Sequence, residues 1–193
     1  MLYICLIALE IEKHYHYFFT SLSFDCFYYL KNIKTPVKVD IHQINEINKK
    51  YPTIFLIRHG ERCDRSDNIC LSDQKGITVE GAKKAQQYGE FFNKYFQQHS
   101  VYTTNTLRTI QTANFFSEAK KNIIPHSSTF DEALKNIKKV SENNKITVIF
   151  THNHCLSRIA KGMSGWKLKP QYLDTLVLHR EGDRLILDGI LIL

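Results

Sequence analysis

Two histidine residues each come directly after a continuous apolar stretch of the chain. His59 follows the stretch 53–58, and His152 follows the stretch 145–151. Apolar runs of this length are typical of strands that are buried on both faces of a sheet. Because the carboxyl ends of parallel strands open onto one crevice, we expect the two imidazoles to meet there.

Arginine residues accompany both histidines in the sequence. Arg58 and Arg62 flank His59, and Arg108 stands near the start of a predicted helix that follows a second strand, 101–104. The planar guanidinium binds phosphate oxygens through two parallel hydrogen bonds and stays charged at any relevant pH. Together these residues predict an oxyanion site, although a lone histidine at a strand end is more often structural and a lone arginine is more often a solvated side chain.

Strands and helices alternate along the part of the chain that contains these residues. This alternation predicts an α/β fold, a three-layer α/β/α sandwich with a mostly parallel sheet. Polar residues suited to N-caps precede the helices, and the last two strands flank a turn-forming Glu-Gly-Asp sequence that indicates a hairpin. The predicted order is helix 40–50, strand 53–58, a helix from Thr78, strand 101–104, a helix after Asn105 or Thr106, helix 130–142, strand 145–151 and the hairpin around 181–183. In the helix after Asn105 or Thr106, we expect Leu107, Ile110 and Ala113 to face inward.

The net charge of +7 is concentrated in the part of the chain with the histidines. Six basic and five acidic residues precede Tyr51, whereas 20 basic and 14 acidic residues follow from there. A basic excess favours an anionic partner through long-range attraction. No run of Lys and Arg with interleaved aromatics occurs, so we expect no nucleic-acid partner.

The five cysteines include one pair close enough in sequence to bond. No C-x-x-C pair is present among them, which argues against a structural zinc site. Cys63 and Cys70 bracket a polar, turn-forming stretch that can bring their Cα atoms within disulfide range. The two are either a disulfide, which would indicate an oxidising compartment, or unrelated thiols of one loop.

The first 37 residues differ in character from the rest. They contain two apolar or aromatic stretches, neither as long as a membrane-spanning helix, and Thr35-Pro36 follows them. We interpret 1–37 as an extension and 38–193 as the main domain. The extension is either a degenerate signal or anchor, which would place the protein near a membrane, or a plain extension, or the product of a misassigned start.

Four segments in order resemble the histidine phosphatase superfamily, also called phosphoglycerate mutase-like. They are RHGE (58–61), ITVEGAKKAQ (77–86), TNTLRTIQTA (104–113) and the strand end TH (151–152). The resemblance implies the phosphoglycerate mutase-like fold, with His59 as the residue that becomes phosphorylated and Arg58, Arg108 and His152 around the phosphate. Arg62 completes an R-H-G-x-R pattern similar to that of the acid-phosphatase branch, which implies a further phosphate ligand. No cofactor and no metal are implied.

Three further segments resemble one subfamily, the lipopolysaccharide core heptose(II)-phosphate phosphatases of Gram-negative bacteria. They are ERCDRSDNICLSD (61–73), IFTHNHCLSRIAK (149–161) and PQYLDTLVLH (170–179). The resemblance implies a periplasmic enzyme that removes phosphate from a heptose of the lipopolysaccharide core. The alternatives are a phosphatase of another metabolite or of a phosphoprotein, for which a cytoplasmic location is equally suitable, and a catalytically silent phosphate-binding protein.

The chemistry of such a site places two demands on other side chains. A neutral imidazole can attack phosphorus if its second nitrogen donates to a fixed acceptor, for which a backbone carbonyl is suitable. The departing alkoxide needs a proton, and Glu132 is the predicted donor, with Asp131 and Glu61 as other carboxyl groups to consider. Acids at 131–132 are also explained by the first turn of a helix, where negative charge is favourable.

His154 is the remaining histidine of this segment. In an extended strand it would point to the same side as His152, where the pair could bind a metal. A phosphate ligand, a second-layer partner or a proton donor to the leaving group suits the phosphatase interpretation better, and we include His154 among the phosphate-binding candidates.

Overall fold

The computed structural model describes residues 35–143 and 145–191, and the described residues from Pro36 onward belong to one compact unit. Its described part has one seven-stranded sheet with the order β1-β7-β6-β2-β5-β3-β4. The strands are β1 Lys38–Val39, β2 Thr53–Arg58, β3 Ser100–Thr104, β4 Lys121–Ile124, β5 Ile146–Thr151, β6 Thr175–Glu181 and β7 Arg184–Leu191.

Of these strands, only β6 runs against the others. It pairs antiparallel with β2 and with β7, whereas the pairs β2–β5, β3–β5, β3–β4 and β1–β7 are parallel. The prediction of a mostly parallel sheet is therefore confirmed. The β2–β5 register places Arg58 beside Thr151, so the residues that follow these two strands leave the sheet at the same edge.

Helices cover both faces of the sheet, which confirms the three-layer α/β/α sandwich. On β2, Phe55 and Ile57 belong to the cluster that includes side chains of the first three helices, and Ile54 and Leu56 belong to the cluster of the last two. This alternation is the two-residue period of a strand buried on both faces. The helices are α1 Ile41–Lys50, α2 Val79–Tyr95, α3 Leu107–Phe116, α4 Phe130–Ser141 and α5 Asn153–Ser164.

Short polar side chains begin three of these helices. Asp40, Thr78 and Thr129 each accept a hydrogen bond from a backbone N–H of the first turn, and Asp40 and Thr129 complete capping boxes. Such caps satisfy donors that the helix itself leaves free. The predicted starts of α1, α2 and α4 are confirmed.

Some elements and one helix face differ from the sequence-based expectations. The edge strands β1 and β4 and the helix α5 were not predicted. β1 is two residues long and β4 begins with two polar residues, whereas the buried residues of α5, Cys155, Leu156, Ile159 and Ala160, do follow a helical period that was overlooked. Leu107 is exposed, so its predicted inward position is wrong. The buried face of α3 consists of Thr109, Thr112, Ala113 and Phe116.

The predicted hairpin is present between β6 and β7. Gly182 lies in its turn with φ of 57°, in the left-handed region that glycine adopts without strain. The expectations for residues 1–34 lie outside the described residues. No helix in the described ranges is long and apolar enough to cross a membrane.

Candidate active site

His59 lies immediately past the end of β2, buried to 2% exposure. Its backbone N–H donates to the carbonyl of Thr151, so the residue is still attached to the neighbouring strand β5. Its ring nitrogen Nδ1 lies 2.8 Å from the carbonyl oxygen of Gly60. A carbonyl can only accept, so Nδ1 must be the protonated nitrogen and Nε2 has the free lone pair. The acceptor that nucleophilic attack requires is therefore Gly60.

The His59 imidazole is neutral at physiological pH. Burial lowers its pKa to about 3, and the positive charges of Arg108, Arg58 and Arg62 act in the same direction. The hydrogen bond to Gly60 opposes this shift without reversing it. The ring thus has an unprotonated Nε2 among positively charged side chains. With its lone pair free, Nε2 can attack an electrophile.

Gly60 links His59 to helix α3 and to the start of α2. Its backbone N–H donates to the Thr112 hydroxyl at 2.9 Å, and that hydroxyl donates to the carbonyl of Arg108 at 2.6 Å. A Cβ at position 60 would lie 3.1 Å from the carbonyl oxygen of Gly81. A side chain at position 60 would crowd the backbone of Gly81, and the hydrogen bond to Thr112 fixes the residue whose carbonyl orients His59.

His152 occupies the N-cap position of α5, next to His59. The two rings meet edge to face with centroids 5.4 Å apart. Nδ1 of His152 is 3.3 Å from an Arg108 Nη atom, and Nε2 is 3.3 Å from the Thr104 hydroxyl. Because arginine can only donate, Nδ1 accepts and Nε2 bears the proton. Burial, with the charge of Arg108, lowers the pKa of His152 to about 3, so this ring is neutral too.

Two of the predicted arginines contribute guanidinium groups at this edge. Arg58 donates to the carbonyl of Pro170 at 2.6 Å, and its guanidinium carbon lies 4.1 Å above the Tyr172 ring. The Nε atoms of Arg58 and Arg108 are buried and have no hydrogen-bond partner among the described residues. Buried donors without partners are rare, and an anionic ligand would satisfy them.

Arg62 lies beside the same group of residues, with its guanidinium paired to Asp64. Its Nε donates to Asp64 at 2.7 Å, and a second N–H contacts the other carboxylate oxygen. Its charge nevertheless contributes to the low pKa of His59. In this structure Arg62 therefore acts on the site as a nearby charge, and its fork is occupied by a carboxylate.

The helices α3 and α5 differ from the other described helices at their N-termini. Neither Thr106 nor His152 caps the following turn with its side chain, whereas α1, α2 and α4 are capped. Free N–H groups and the helix dipole make an N-terminus favourable for anions. The two helices without a side-chain cap are therefore the ones that contribute Arg108 and His152 to the site.

The carboxyl groups considered as proton donors have other partners. Glu132 accepts from the backbone N–H and the hydroxyl of Ser128 and closes the capping box of α4. Glu61 accepts from Thr78 and Asn68. These hydrogen bonds lower the pKa of both carboxyls, which keeps them ionised. No hydrogen bond joins either of them to His59 or His152 in the described part of the chain.

His154 is not in an extended strand, so that premise of the expectation is wrong, although its ring does lie beside the ring of His152. Residues 153–154 begin α5, and the His154 ring stacks on His152 at 5.2 Å with an angle of 6° between the ring planes. Within the described ranges no group of three or more His, Cys, Asp or Glu side chains is arranged to hold a metal ion.

Sequence reasoning did not find His126, which joins this group. Its Nε2 lies 2.9 Å from Nε2 of His154, and its ring centroid is 5.4 Å from that of His152. His126 follows β4, an edge strand that was not predicted, so no sequence signal connected it with the site. Tyr172, whose ring lies under the Arg58 guanidinium, belongs to the segment PQYLDTLVLH, but no sequence pattern predicted this contact.

Cys63 and Cys70 form a disulfide with Cα atoms 5.3 Å apart. The bond closes a loop that begins at the 3-10 turn Cys63–Arg65 directly after Arg62. Isolated bridges join Arg62 to Ile77 and Cys70 to Thr78 at the base of this loop. The disulfide therefore holds the backbone next to the predicted phosphate ligand.

Comparison with known proteins agrees with this geometry. Residues 54–139 match the histidine phosphatase superfamily (branch 1), a range that contains His59 and Arg108. Solved structures with the same fold include the protein histidine phosphatase SixA complexed with tungstate, with a TM-score of 0.56 at 11% identity, covering 72% of this chain and 95% of that one. A mycobacterial glucosyl-3-phosphoglycerate phosphatase gives 0.55 at 13% identity, covering 72% and 98%.

The chain belongs to the histidine phosphatase superfamily. Curated relatives from Salmonella arizonae and Salmonella typhimurium, each named lipopolysaccharide core heptose(II)-phosphate phosphatase, are 47% identical to it over 146 residues. The aligned region covers 73% of this chain and 72% of each relative. The resemblance that the sequence motifs indicated, to the superfamily and to this subfamily, is confirmed.

Proposed function

We propose that this protein is a phosphomonoesterase that removes phosphate from a heptose of the lipopolysaccharide core through a phosphohistidine on His59. The observation that supports the mechanism most directly is the hydrogen bond from Nδ1 of His59 to the Gly60 carbonyl, 2.8 Å long. It leaves Nε2 unprotonated beside three guanidinium groups. The substrate class rests on the 47% identity to relatives with that name.

In the first step Nε2 of His59 attacks phosphorus in line. The N–P bond forms as the ester P–O bond breaks, and the electron pair of that bond stays on the leaving oxygen, which takes up a proton. Arg58 and Arg108 hold the equatorial oxygens, with Arg62 as a further cation. Their role is to stabilise the charge that builds up on these oxygens in the transition state.

In the second step water attacks the phosphohistidine. The new O–P bond forms, the N–P bond breaks, and the water loses its proton to a nearby base, so that inorganic phosphate leaves and His59 regains its lone pair. His152 lies edge to face with His59 and presents its Nδ1 next to Arg108. We assign His152 to the phosphate pocket in both steps.

The test of the mechanism is His59→Ala, assayed for phosphate release from heptose-phosphorylated core and from 4-nitrophenyl phosphate. Turnover should fall to background with both substrates, and acid-labile label from a radioactive substrate should no longer appear on the protein. His42→Ala, an exposed histidine on α1, is the matched control. Retained turnover in His59→Ala would refute the mechanism, and an unlabelled, inactive wild type would indicate a phosphate-binding protein.

The test of the substrate is a panel of phosphate esters compared by kcat/KM. The panel contains phosphorylated core oligosaccharide, small sugar phosphates and phosphopeptides. The proposal predicts that the core oligosaccharide has the highest value. A higher value for a phosphopeptide or for a small metabolite would replace the heptose assignment and leave the histidine mechanism unchanged.

We further propose a periplasmic location, with a role in outer-membrane biogenesis. The Cys63–Cys70 disulfide supports it, because such bonds persist in oxidising compartments. Thiol trapping on protein from its own host tests this proposal. We expect Cys63 and Cys70 to be disulfide-bonded in the periplasmic fraction, so that neither reacts with the trapping reagent. Free thiols at these positions in a cytoplasmic fraction would contradict the assignment.

A further inference from the structure

The leaving group needs a proton, and in the described part of the chain neither Glu132 nor Glu61 is hydrogen-bonded to His59 or His152. Glu132 and Glu61 are ionised and engaged in caps or side-chain hydrogen bonds. Asp64 is paired with Arg62. The candidates outside the carboxyl groups are the two histidines next to His152, namely His126 and His154.

These two histidines are directly hydrogen-bonded to each other. Their Nε2 atoms are 2.9 Å apart, although they are 28 positions apart in sequence. An N–H on one ring must donate to the lone pair of the other, because two unprotonated or two protonated nitrogens would repel each other. The pair therefore shares one proton between its Nε2 atoms.

The pair adjoins the proposed phosphate pocket. The His154 ring stacks on His152 at 5.2 Å, and His126 lies 5.4 Å from His152, which in turn meets His59 at 5.4 Å. Because Nε2 of each ring is occupied within the pair, Nδ1 of His154 is the nitrogen available to a substrate. Both residues are exposed to solvent.

Several hydrogen bonds hold the segment that contains His126 in place. Arg158 donates to the carbonyl of Ser127 at 3.0 Å, Asn136 donates to the Ser127 hydroxyl at 3.0 Å, and the Ser128 N–H donates to Glu132 at 2.8 Å. Glu132, the residue first considered as the acid, thus contributes by positioning the chain two residues from His126.

We propose, on the basis of the function given above, that His126 and His154 form an imidazole pair that supplies the proton to the leaving alcohol. His154 is the catalytic donor and His126 is a positioning residue that holds the proton reserve. The pair replaces the carboxylic acid that such a reaction otherwise uses.

The proton balance of this step is closed within the pair. The step requires one extra proton on the pair before attack, with Nε2–H of His126 donating to Nε2 of His154. As the ester P–O bond breaks, Nδ1–H of His154 passes to the leaving oxygen and the shared proton moves to Nε2 of His154. Both rings end neutral. When water attacks the phosphohistidine, its proton returns to Nδ1 of His154 and the sequence reverses.

The charges that face the pair explain why we expect the pair to carry its extra proton only when substrate is bound. Arg108 on α3 and Arg158 on α5 disfavour a further positive charge, and burial together with His126 and these arginines lowers the pKa of His154. Glu132 on α4 is the nearby opposite charge, paired electrostatically with Arg158. A bound phosphate dianion would offset the two arginines, so the pair is expected to take up its proton together with the substrate.

The test compares leaving groups of different acidity in His154→Asn, His126→Asn and the double variant. An alkyl phosphate needs a protonated leaving group, whereas 2,4-dinitrophenolate departs without a proton. We expect kcat/KM to fall about 100-fold or more for the alkyl ester, which is the usual magnitude for losing a general acid. For 2,4-dinitrophenyl phosphate we expect it to fall only a few-fold. The double variant should resemble the single ones, because the two rings act as a unit.

Three results would overturn the proposal. They are an equal loss with both esters, which indicates a purely structural role; no loss with either ester; and losses that add in the double variant. His42→Asn is the control, and thermal unfolding of each variant detects failure to fold. Failure of the proposed function is distinguishable, because wild-type protein would then release nothing from 2,4-dinitrophenyl phosphate.

Discussion

Nδ1 of His59 donates a hydrogen bond to the carbonyl oxygen of Gly60 at 2.8 Å. The donor and the acceptor belong to adjacent residues, so the orientation of the nucleophile depends on the backbone that immediately follows β2. That backbone is held in turn by Thr112 on α3, which accepts from the Gly60 N–H. The chemistry of His59 is therefore coupled to the packing of α3 against the sheet.

Thr112→Val tests this coupling. The variant leaves the buried Gly60 N–H without its acceptor, which costs about 1–3 kcal/mol and frees the carbonyl that orients His59. We expect a lower free energy of unfolding in urea, and a kcat that falls more than KM changes. Thr112→Ser keeps the hydroxyl and serves as the control. A Val variant with unchanged kcat would show that Gly60 is held by other contacts.

Arg108→Ala tests the phosphate pocket. It removes a guanidinium whose Nε is buried without a partner and whose Nη lies 3.3 Å from His152. We expect kcat/KM to fall about 100- to 1,000-fold, the usual result of deleting one donor to transition-state charge. Arg108→Lys should recover little, because a single ammonium cannot reproduce two parallel hydrogen bonds. Arg184→Ala on the exposed hairpin is the control, and a comparable loss there would mean that net charge alone matters.

Acid should destabilise the protein through the buried histidines His59 and His152. The pKa values of His59 and His152 are about 3 in the folded chain, against 6.5 ordinarily. The unfolded state therefore binds more protons between these values, so stability is fully present above about pH 6.5 and falls as the pH is lowered towards 3. At pH 5 each histidine accounts for up to about 2 kcal/mol.

Urea unfolding at pH 7 and pH 5 measures this effect. His152→Asn cannot titrate, so its free energy of unfolding should change less between the two pH values than that of the wild type. Lys94→Ala, an exposed substitution on α2, should keep the wild-type difference. An equal pH dependence in His152→Asn and wild type would show that His152 is protonated alike in both states.

Removal of the disulfide should lower stability without abolishing the fold. The loop between Cys63 and Cys70 is short, with a sequence separation of 7. Loop-closure entropy for this length corresponds to about 2.5 kcal/mol. Cys63→Ser/Cys70→Ser should lose about that much in thermal or urea unfolding, with a rise in KM because Arg62 adjoins the loop. A reducing agent should lower the stability of the wild type by a similar amount and leave that of the double variant unchanged. If the reducing agent destabilised only the double variant, the stability loss would not come from the disulfide.

Much of the fold follows from patterns that act over short distances. The runs of β2 and β5 carry large apolar side chains on both faces and no charged residue before Arg58, which indicates central strands with helices on both sides. Asp40, Thr78 and Thr129 mark helix starts because their side chains satisfy N–H groups of the next turn. The edge strand β4 was missed, since its two polar residues remove the apolar period and its position depends on pairing with β3.

The sequence by itself determined that His59 and His152 meet at the sheet edge. His59 and His152 each follow a buried strand, and parallel neighbours must release their next residues on the same side, so the pocket of imidazoles and guanidiniums is a consequence of chain order.

Only the tertiary structure decided how each ring is protonated and what each acid does. Hydrogen-bond partners are chosen by distance in space, and those of Arg62 and His154 come from a turn and a helix end whose geometry no sequence period encodes. The capping box of Glu132 follows the T-x-x-E pattern of 129–132, but only the structure shows that its carboxylate is engaged there. His126 shows the same dependence. It reaches His154 because β4 lies at the edge beside β3 and ends where α5 begins, an arrangement set by the packing of the whole sheet.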